Sequence, residues 1–411
     1  MKRCGLFRSW VAPVLAAAVL VAGAAFVGDQ ARADDHGDVI KFGAALPLTG
    51  PLATEGNKQK AGYEIWMDLV NSQGGINVGG KKMKVDIKYY DYESKTPVAS
   101  KLYERLITKD KVDFLFGPFG SGATASVAAL TERYKIPIIA PTASSAKLYA
   151  RGYSYLFGLL VPNNFVSDSF FELVTSQNPR PKTMAFVTRN DFFPKVITGV
   201  FQNAAKKYGI KDIYYAKFPK DAKDMSTWLT IVKGKNPDLL MVAGYLGDLI
   251  LVTKQAKELG VNPKAIFMTA GPVYSQFTEA LGKTADGITT ASWWADTLDY
   301  KGRIIGTPDD FSRIWRKKTG KEADYVSAAS TASGVVYQLA IEKVGSLDRK
   351  KIRAALAAMN EMTFYGRVKF NKNGQNIGSI VPVIQIQKGK RLPVSPKNMA
   401  QGKYQYPKPK F

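Results

Sequence analysis

The chain has 411 residues, of which 45% are hydrophobic and 22% charged, and its formal net charge is +24. This length favours two domains, and the ordinary composition is typical of a globular protein. One cysteine and one histidine in the whole chain argue against Ser-His-Asp catalysis, thiolate chemistry and histidine-bound zinc. We therefore expect neither an enzyme nor a metal or cofactor site.

Residues 1–33 have the pattern of a secretory signal peptide. Basic residues in the first ten positions precede an uncharged run over 10–27, and an A-x-A site ends at Ala33. An uncleaved anchor is the alternative, because a run of 18 residues is at the lower limit for spanning a bilayer. Cleavage after Ala33 predicts an exported protein. It also removes Cys4 and leaves His36 in the N-terminal arm as the sole histidine.

The mature chain remains strongly basic. Residues 1–33 contain four Lys/Arg and one Asp, so their removal leaves a formal charge of +21. The basic residues form no dense block and the protein is expected to be exported, so no nucleic-acid partner is predicted. The charge is either a solvated basic surface or a field that favours anionic ligands or an anionic membrane surface.

From residue 38 onward, short apolar runs alternate with amphipathic segments. Strands are predicted at "VIKFGAAL", "KKMKVDIKYYD", "KVDFLF" and "KIPIIA", with helices between them. The pattern restarts after Asn163 with "KTMAFVT", "DIYYAKF", "PDLLMVAGY" and "KAIFMT" as strands. This alternation predicts two α/β lobes, each a doubly wound parallel sheet.

The remaining segments add little to the second lobe. The predicted helices "YVSAASTASGVVYQLAIEKVG" and "DRKKIRAALAAM" are expected to return to cover the first lobe. "GRVKF" and "VPVIQIQKGKRLPV" predict terminal strands. Residues 395–411 lack periodicity and are expected to form a loose C-terminal tail.

Two loops of the first lobe are candidate binding loops, because ligands of such sheets bind beyond the carboxyl ends of the strands. "GPFGSGAT" combines Gly120 and Gly122 with the hydroxyl of Ser121, and "APTASS" supplies Thr142 and Ser144 before the next helix. A helix N-terminus with adjacent hydroxyls suits an anion such as a carboxylate. Without a lysine it is not a phosphate loop. Simple capping and tight turning is the alternative.

These motifs occur in an order that resembles one family. "ALPLTGPLATEG", "GPFGSGAT", "IPIIAPTASS", "GYLGD", "QAKELG" and "GQNIGSIVPVIQIQKGKR" are similar to the branched-chain amino acid (Leu/Ile/Val) binding proteins of ABC importers, over residues 39–394. The resemblance implies two Rossmann-like lobes joined by a three-segment hinge, the type I periplasmic binding protein fold. Lobe 1 is then 38–161 plus 291–375, and lobe 2 is 162–290 plus 376–394.

The resemblance also implies ligand-binding residues. In the first lobe these hold a ligand carboxylate: Gly120, Ser121, Gly122, Thr142, Ala143 and Ser144. In the second lobe, Phe193 and Tyr245 match positions that lie over the ligand, although both are also plausible core residues. Loop placement adds Phe119 and Trp294 as further hypotheses, with packing as the alternative.

One position departs from the family pattern. Amino-acid-binding members carry an acidic residue for the ligand ammonium after the "IFM" strand, where this chain has Gly271. A buried ammonium without a carboxylate partner is costly. Either Glu55 or Asp191 substitutes, or the ligand is an aromatic or keto acid without an ammonium group.

The expected function is capture of an anionic or zwitterionic solute. The resemblance implies a monomer that delivers an amino acid or related small carboxylate to an inner-membrane ABC permease complex from the periplasm. A membrane receptor that senses the same ligand is the alternative partner.

Overall fold

The computed structural model describes residues 39–411, so the predicted signal peptide, Cys4 and His36 lie outside the described residues. In that range the strands are β1 (Val39–Leu46), β2 (Ile76–Val78), β3 (Lys81–Asp91), β4 (Phe114–Phe116), β5 (Ile138–Ala140), β6 (Leu156–Gly158), β7 (Thr183–Arg189), β8 (Lys211–Phe218), β9 (Leu239–Ala243), β10 (Ala265–Met268), β11 (Ile288–Ala291), β12 (Asn360–Thr363), β13 (Gly366–Lys369), β14 (Val383–Gln387) and β15 (Lys390–Ser395).

Helices and strands alternate from β3 to β11. Over residues 39–411 the helices are α1 (Ala53–Ser72), α2 (Thr96–Thr108), α3 (Gly120–Arg133), α4 (Ala146–Tyr149), α5 (Asn163–Thr175), α6 (Phe192–Lys207), α7 (Ser226–Lys235), α8 (Leu246–Glu258), α9 (Ser275–Leu281), α10 (Pro308–Thr319), α11 (Tyr325–Val344) and α12 (Arg349–Ala357). Short 3₁₀ turns occupy Gly271–Val273 and Gly282–Ala285.

The strands form two main sheets, which confirms the prediction of two α/β lobes. The first has the order β2-β3-β1-β4-β5-β6, in which β2 is antiparallel to β3 and the other pairs are parallel. The second has the order β15-β14-β11-β10-β9-β7-β8. Its pairs from β11 to β8 are parallel, whereas β14 and β15 add as an antiparallel ribbon. Strands β12 and β13 pair as a separate hairpin.

The chain passes between the two sheets along neighbouring segments. The first, after β6, accepts hydrogen bonds at Leu159 O and Leu160 O from the Asn376 and Gln375 side chains, at 3.0 and 3.3 Å. The segment after β11 joins it, since Trp293 Nε1 donates to Val161 O at 3.2 Å. These bonds hold three crossings of the chain side by side, as a hinge between two lobes requires.

Helix α11 returns to the first lobe, as predicted, and packs against α1. Its side chains are buried on every face from Tyr325 to Ile341. The close approach of α11 to α1 depends on Gly334, where an added Cβ would lie 2.1 Å from Trp66 Cδ2. At the far end of the contact, Thr331 Oγ1 donates to Gly62 O at 2.8 Å. Glycine is used here because the backbone of one helix lies against the indole of the other.

The prediction of a loose C-terminal tail is wrong. Gln405 N donates to Gln385 Oε1 at 2.8 Å, and Gln385 Nε2 donates back to Gln405 O at 3.0 Å. Lys408 is 5% exposed, and its ammonium donates to Asn262 Oδ1 at 2.9 Å. The segment forms no helix or strand, so it has no periodicity to detect. Side-chain hydrogen bonds fix it to the second lobe instead.

Among residues 39–411, no helix combines the length and apolarity needed to cross a membrane.

Candidate functional site

A small cavity lies between the two lobes. Its wall is built by loops that follow parallel strands in both sheets, together with the first turn of α1 and the start of α11. The lining residues are Glu55, Phe119, Gly120, Thr142, Ser144, Leu160, Phe193, Gly244, Tyr245, Leu246, Ala270, Gly271, Tyr274, Trp293 and Tyr325. This is the position expected of a small-molecule site.

One end of the cavity offers hydrogen-bond donors. Gly120 opens α3 with φ +79°, and its N–H donates to Thr142 Oγ1 at 3.0 Å. The Thr142 hydroxyl hydrogen can therefore point elsewhere. Ser144 Oγ is buried and has no hydrogen-bond partner within residues 39–411. Two hydroxyls at the N-terminal end of a helix form an anion-binding arrangement.

The structure gives Ser121 a supporting position. It is fully buried and does not line the cavity. Its Oγ accepts hydrogen bonds from Ser144 N and Ser145 N, both at 3.2 Å. Ala143 likewise lies behind the wall, where its carbonyl accepts from Tyr149 OH at 2.7 Å. Both residues thus hold the loop that carries Thr142 and Ser144.

Gly122 lies at the contact between the lobes and not in the cavity wall. A Cβ added there would be 3.6 Å from Phe192 Cβ on α6 of the second lobe. A small residue at this position allows α3 and α6 to approach across the cleft.

Aromatic rings form the apolar part of the wall. The Tyr245 ring lies 6.1 Å from that of Phe119 and 6.4 Å from that of Phe193, centroid to centroid. Behind Tyr245, its N–H donates to Asp248 Oδ2 at 2.9 Å, and Asp248 Oδ1 accepts from Arg189 Nη1 at 2.8 Å. Burial raises the pKa of Asp248, against the effect of the Tyr245 N–H and of Arg189. This buried pair fixes the start of α8 under the cavity.

Trp294, predicted from its loop placement, does not line this cavity. Its indole packs edge-on to Phe311 at 5.6 Å, and its Nε1 donates to Phe364 O at 3.2 Å. The preceding residue, Trp293, lines the cavity instead, with its ring 5.2 Å from that of Tyr325.

Glu55 supplies the one carboxylate of the cavity wall among the residues that the structure describes. It is 2% exposed, and burial raises its pKa to about 7 although Lys58 lies nearby. Asp191 lies elsewhere. Its Oδ1 accepts from Phe192 N at 2.7 Å, at the cap of α6, and lies 3.2 Å from Lys220 Nζ.

Gly271 belongs to the wall, and a side chain at this position would be crowded by α8. A Cβ at this position would lie 2.7 Å from Leu249 Cδ1 and 3.3 Å from Leu246 Cα. An acidic residue at this point of the second lobe would thus displace the packing of α8.

Several wall residues carried no signal in the sequence. Tyr325 opens α11, far along the chain from the binding loops, and its hydroxyl lies 3.0 Å from that of Tyr274. Leu160 comes from a hinge segment, while Gly244, Leu246 and Ala270 flank predicted positions. No group of His, Cys, Asp or Glu side chains in residues 39–411 is arranged to hold a metal ion.

The family model for periplasmic binding proteins matches residues 39–391, so the chain belongs to the periplasmic binding protein family. Leu/Ile/Val-binding protein homolog 8 of Brucella melitensis is 27% identical over 393 residues, which cover 90% of this chain and 93% of that protein. The chain is thus a member of a family of binding proteins. This confirms the prediction that it is not an enzyme.

Two solved structures have the same fold. One is the branched-chain amino acid transporter substrate-binding protein LivJ from Streptococcus pneumoniae in complex with isoleucine. It has a TM-score of 0.76 at 23% identity, over 86% of this chain and 97% of that one. The other is a solute-binding protein of an ABC transporter from R. palustris in complex with benzoate. It has a TM-score of 0.77 at 19% identity, over 87% and 96% of the two chains.

Proposed function

We propose that this protein captures a small carboxylate with an apolar body, foremost an amino acid, and delivers it to an ABC permease in the inner membrane. The observation that carries this proposal is the buried Ser144 hydroxyl, which lacks a partner within residues 39–411 and belongs to a residue that lines the cavity beside Thr142 and Gly120. A buried polar group without a partner is costly, and a bound carboxylate would remove that cost. In this account the protein acts in the periplasm after cleavage near Ala33.

The rest of the wall suits the apolar body of such a ligand. Phe119, Phe193 and Tyr245 offer ring faces from both lobes, so a side chain or ring held by its carboxylate would be enclosed between them. The ligands bound in the two related structures, isoleucine and benzoate, share this chemistry of a carboxylate on an apolar body.

Capture involves closure of the lobes about the hinge. Contacts across the cleft stabilise the closed form: Tyr274 OH meets Tyr325 OH at 3.0 Å, and Lys58 Nζ donates to Gln276 Oε1 at 3.3 Å. Tyr274 and Tyr325 line the cavity, so a ligand that fills it would favour closure. The permease would then recognise the closed complex.

An aromatic or keto acid without an ammonium group is the second candidate ligand. Gly271 favours it, because the family's acidic residue for the ammonium is missing there and a side chain at this position would press on α8. The several aromatic rings of the wall are compatible with either ligand.

A thermal-shift panel on residues 34–411 tests the proposal. The panel pairs each acid with the amide that replaces its carboxylate: leucine with leucinamide, phenylalanine with phenylalaninamide, and benzoate with benzamide. A ligand at a hundredfold its Kd adds about 2.7 kcal/mol of stability, which is readily seen as a higher Tm. We expect at least one acid to raise the Tm while its amide does not. Equal shifts for acid and amide, or no shift for leucine, phenylalanine, benzoate, cinnamate and 4-methyl-2-oxopentanoate, would contradict a carboxylate site.

A further inference from the structure

We propose that Glu55 selects ligands that carry a positively charged nitrogen, and that it does so from α1 of the first lobe. The proposal rests on the proposed function, since it concerns the same cavity. The family resemblance places the acidic residue for the amine in the second lobe, at the position of Gly271. Our proposal assigns recognition of the amine to Glu55 in the first lobe.

The charges around Glu55 leave it without a cation of its own. Lys58 Nζ lies 2.6 Å from Asp324 Oδ2 and also contacts Gln276 Oε1. The other Asp324 oxygen accepts from Val326 N and Ser327 N, which fixes Asp324 at the start of α11. The charge of Lys58 is therefore matched by Asp324, and an ionised Glu55 adds one unpaired negative charge to the cavity wall.

The other groups near Glu55 do not supply a positive partner for its carboxylate either. Asp248 is engaged by Arg189 at 2.8 Å, and as a carboxylate it opposes ionisation of Glu55. The remaining ionisable neighbours are tyrosines, whose hydroxyls stay neutral in this buried setting: Tyr92, Tyr245, Tyr274 and Tyr325. A ligand ammonium would be the missing partner of a buried carboxylate.

The two ends of the cavity then match the two charges of an amino acid. The Thr142 and Ser144 hydroxyls provide donors for the carboxylate, and Glu55 accepts from the ammonium. The family's acidic position could lose its side chain at Gly271 because Glu55 supplies the negative charge from the other lobe.

Capture of an amino acid would consequently depend on pH. The pKa of Glu55 is raised by burial to about 7, so Glu55 becomes protonated as the pH falls below neutrality. An ammonium binds the ionised form, so affinity is highest above the pKa and lost below it. Only a few per cent of Glu55 is ionised at pH 5.5, so leucine should bind about 30-fold more weakly there than at pH 8. A deaminated acid should not lose affinity in this way.

The test compares amino acids with their deaminated analogues by calorimetry on the wild-type chain and on Glu55→Gln. The pairs are leucine with 4-methylpentanoate, and phenylalanine with 3-phenylpropanoate. In the wild type we expect the amino acid of at least one pair to bind more tightly than its analogue. Glu55→Gln should weaken that amino acid about 10- to 100-fold and change the analogue by less than about threefold. Glu64→Gln is the matched control, since Glu64 lies on the same helix near Lys60 and Lys318 and does not line the cavity.

Each outcome decides between the proposals. If the wild type binds only the deaminated acids, or if Glu55→Gln binds the amino acid normally, the role of Glu55 is overturned while carboxylate capture stands. If neither member of any pair binds, and the wider acid panel also gives no shift, the proposed function fails and the role of Glu55 fails with it. Should Glu55→Gln not fold, the pH dependence of the wild-type affinities decides, and a flat profile for leucine between pH 5.5 and 8 contradicts the proposal.

Discussion

Loss of the two hydroxyls at the donor end of the cavity is expected to abolish ligand capture. In the double variant Thr142→Val with Ser144→Ala, the affinity for any acid that the wild type binds should fall by at least ~100-fold. A hydrogen bond to a charged group contributes roughly 1.5–3 kcal/mol, and two are removed together. Calorimetry with the wild type and the variant measures the difference.

Ser145→Ala is the control for this variant. Like Ser144 Oγ, Ser145 Oγ is buried without a hydrogen-bond partner among the residues that the structure describes, but Ser145 does not line the cavity. We expect Ser145→Ala to bind as the wild type does. Thr142→Val also removes the acceptor of Gly120 N, so Ser144→Ala alone should be measured and should lose about tenfold or more. Equal affinities for Ser144→Ala and Ser145→Ala would mean that the carboxylate lies elsewhere.

Gly334→Ala is expected to destabilise the first lobe strongly, by about 3 kcal/mol. The new methyl group would lie 2.1 Å from Trp66 Cδ2 and 2.3 Å from Trp66 Cγ. The indole cannot move away easily, because its Nε1 donates to Gln338 Oε1 at 3.3 Å and its ring packs edge-on to Phe42 at 5.3 Å. A gain in helix propensity of up to ~1 kcal/mol from alanine is too small to offset the collision. Thermal unfolding should show a Tm lowered by roughly 5 °C or more.

Gly199→Ala provides the matched comparison. Gly199 also lies inside a helix, α6, but a Cβ there meets no heavy atom within 4 Å. Alanine should therefore be neutral or slightly stabilising at this position. If Gly334→Ala were as stable as Gly199→Ala, the close packing of α1 on α11 would not be the strong constraint described here.

Much of the fold could be predicted, because strands that are buried on both faces occur in the sequence as short apolar runs between amphipathic helices. The runs at β1, β4, β5, β7, β9 and β10 are of this kind. β11 was missed, since its sequence "ITTA" has two threonines and is only four residues long. Its place in the sheet is set by pairing with β10 and β14, which no local pattern reveals.

The wall of the cavity was predictable where it follows a strand. Phe119, Gly120, Thr142, Tyr245 and Gly271 all come from such loops, and all line the cavity. Their contacts with a ligand remain predictions.

The direction of individual side chains was harder to predict. Successive side chains of an extended segment point to opposite sides, so the sequence could not tell Trp293 from Trp294. The direction of the Ser121 side chain could not be predicted either, since a hydroxyl in a binding loop can face the ligand or hold the loop. Tyr325 is brought to the cavity by the return of α11, a tertiary effect that the sequence does not express locally.

The central claim is that the cavity between the lobes binds a carboxylate by its Thr142 and Ser144 end. A crystal structure of residues 34–411, grown with the acid that gives the largest shift in the panel, tests it most directly. The account predicts a ligand oxygen within about 3 Å of both Ser144 Oγ and Thr142 Oγ1, with the apolar body between Phe119, Phe193 and Tyr245. A ligand bound outside this cavity, or one whose carboxylate faces Gly271 and leaves Ser144 Oγ unpaired, would contradict it.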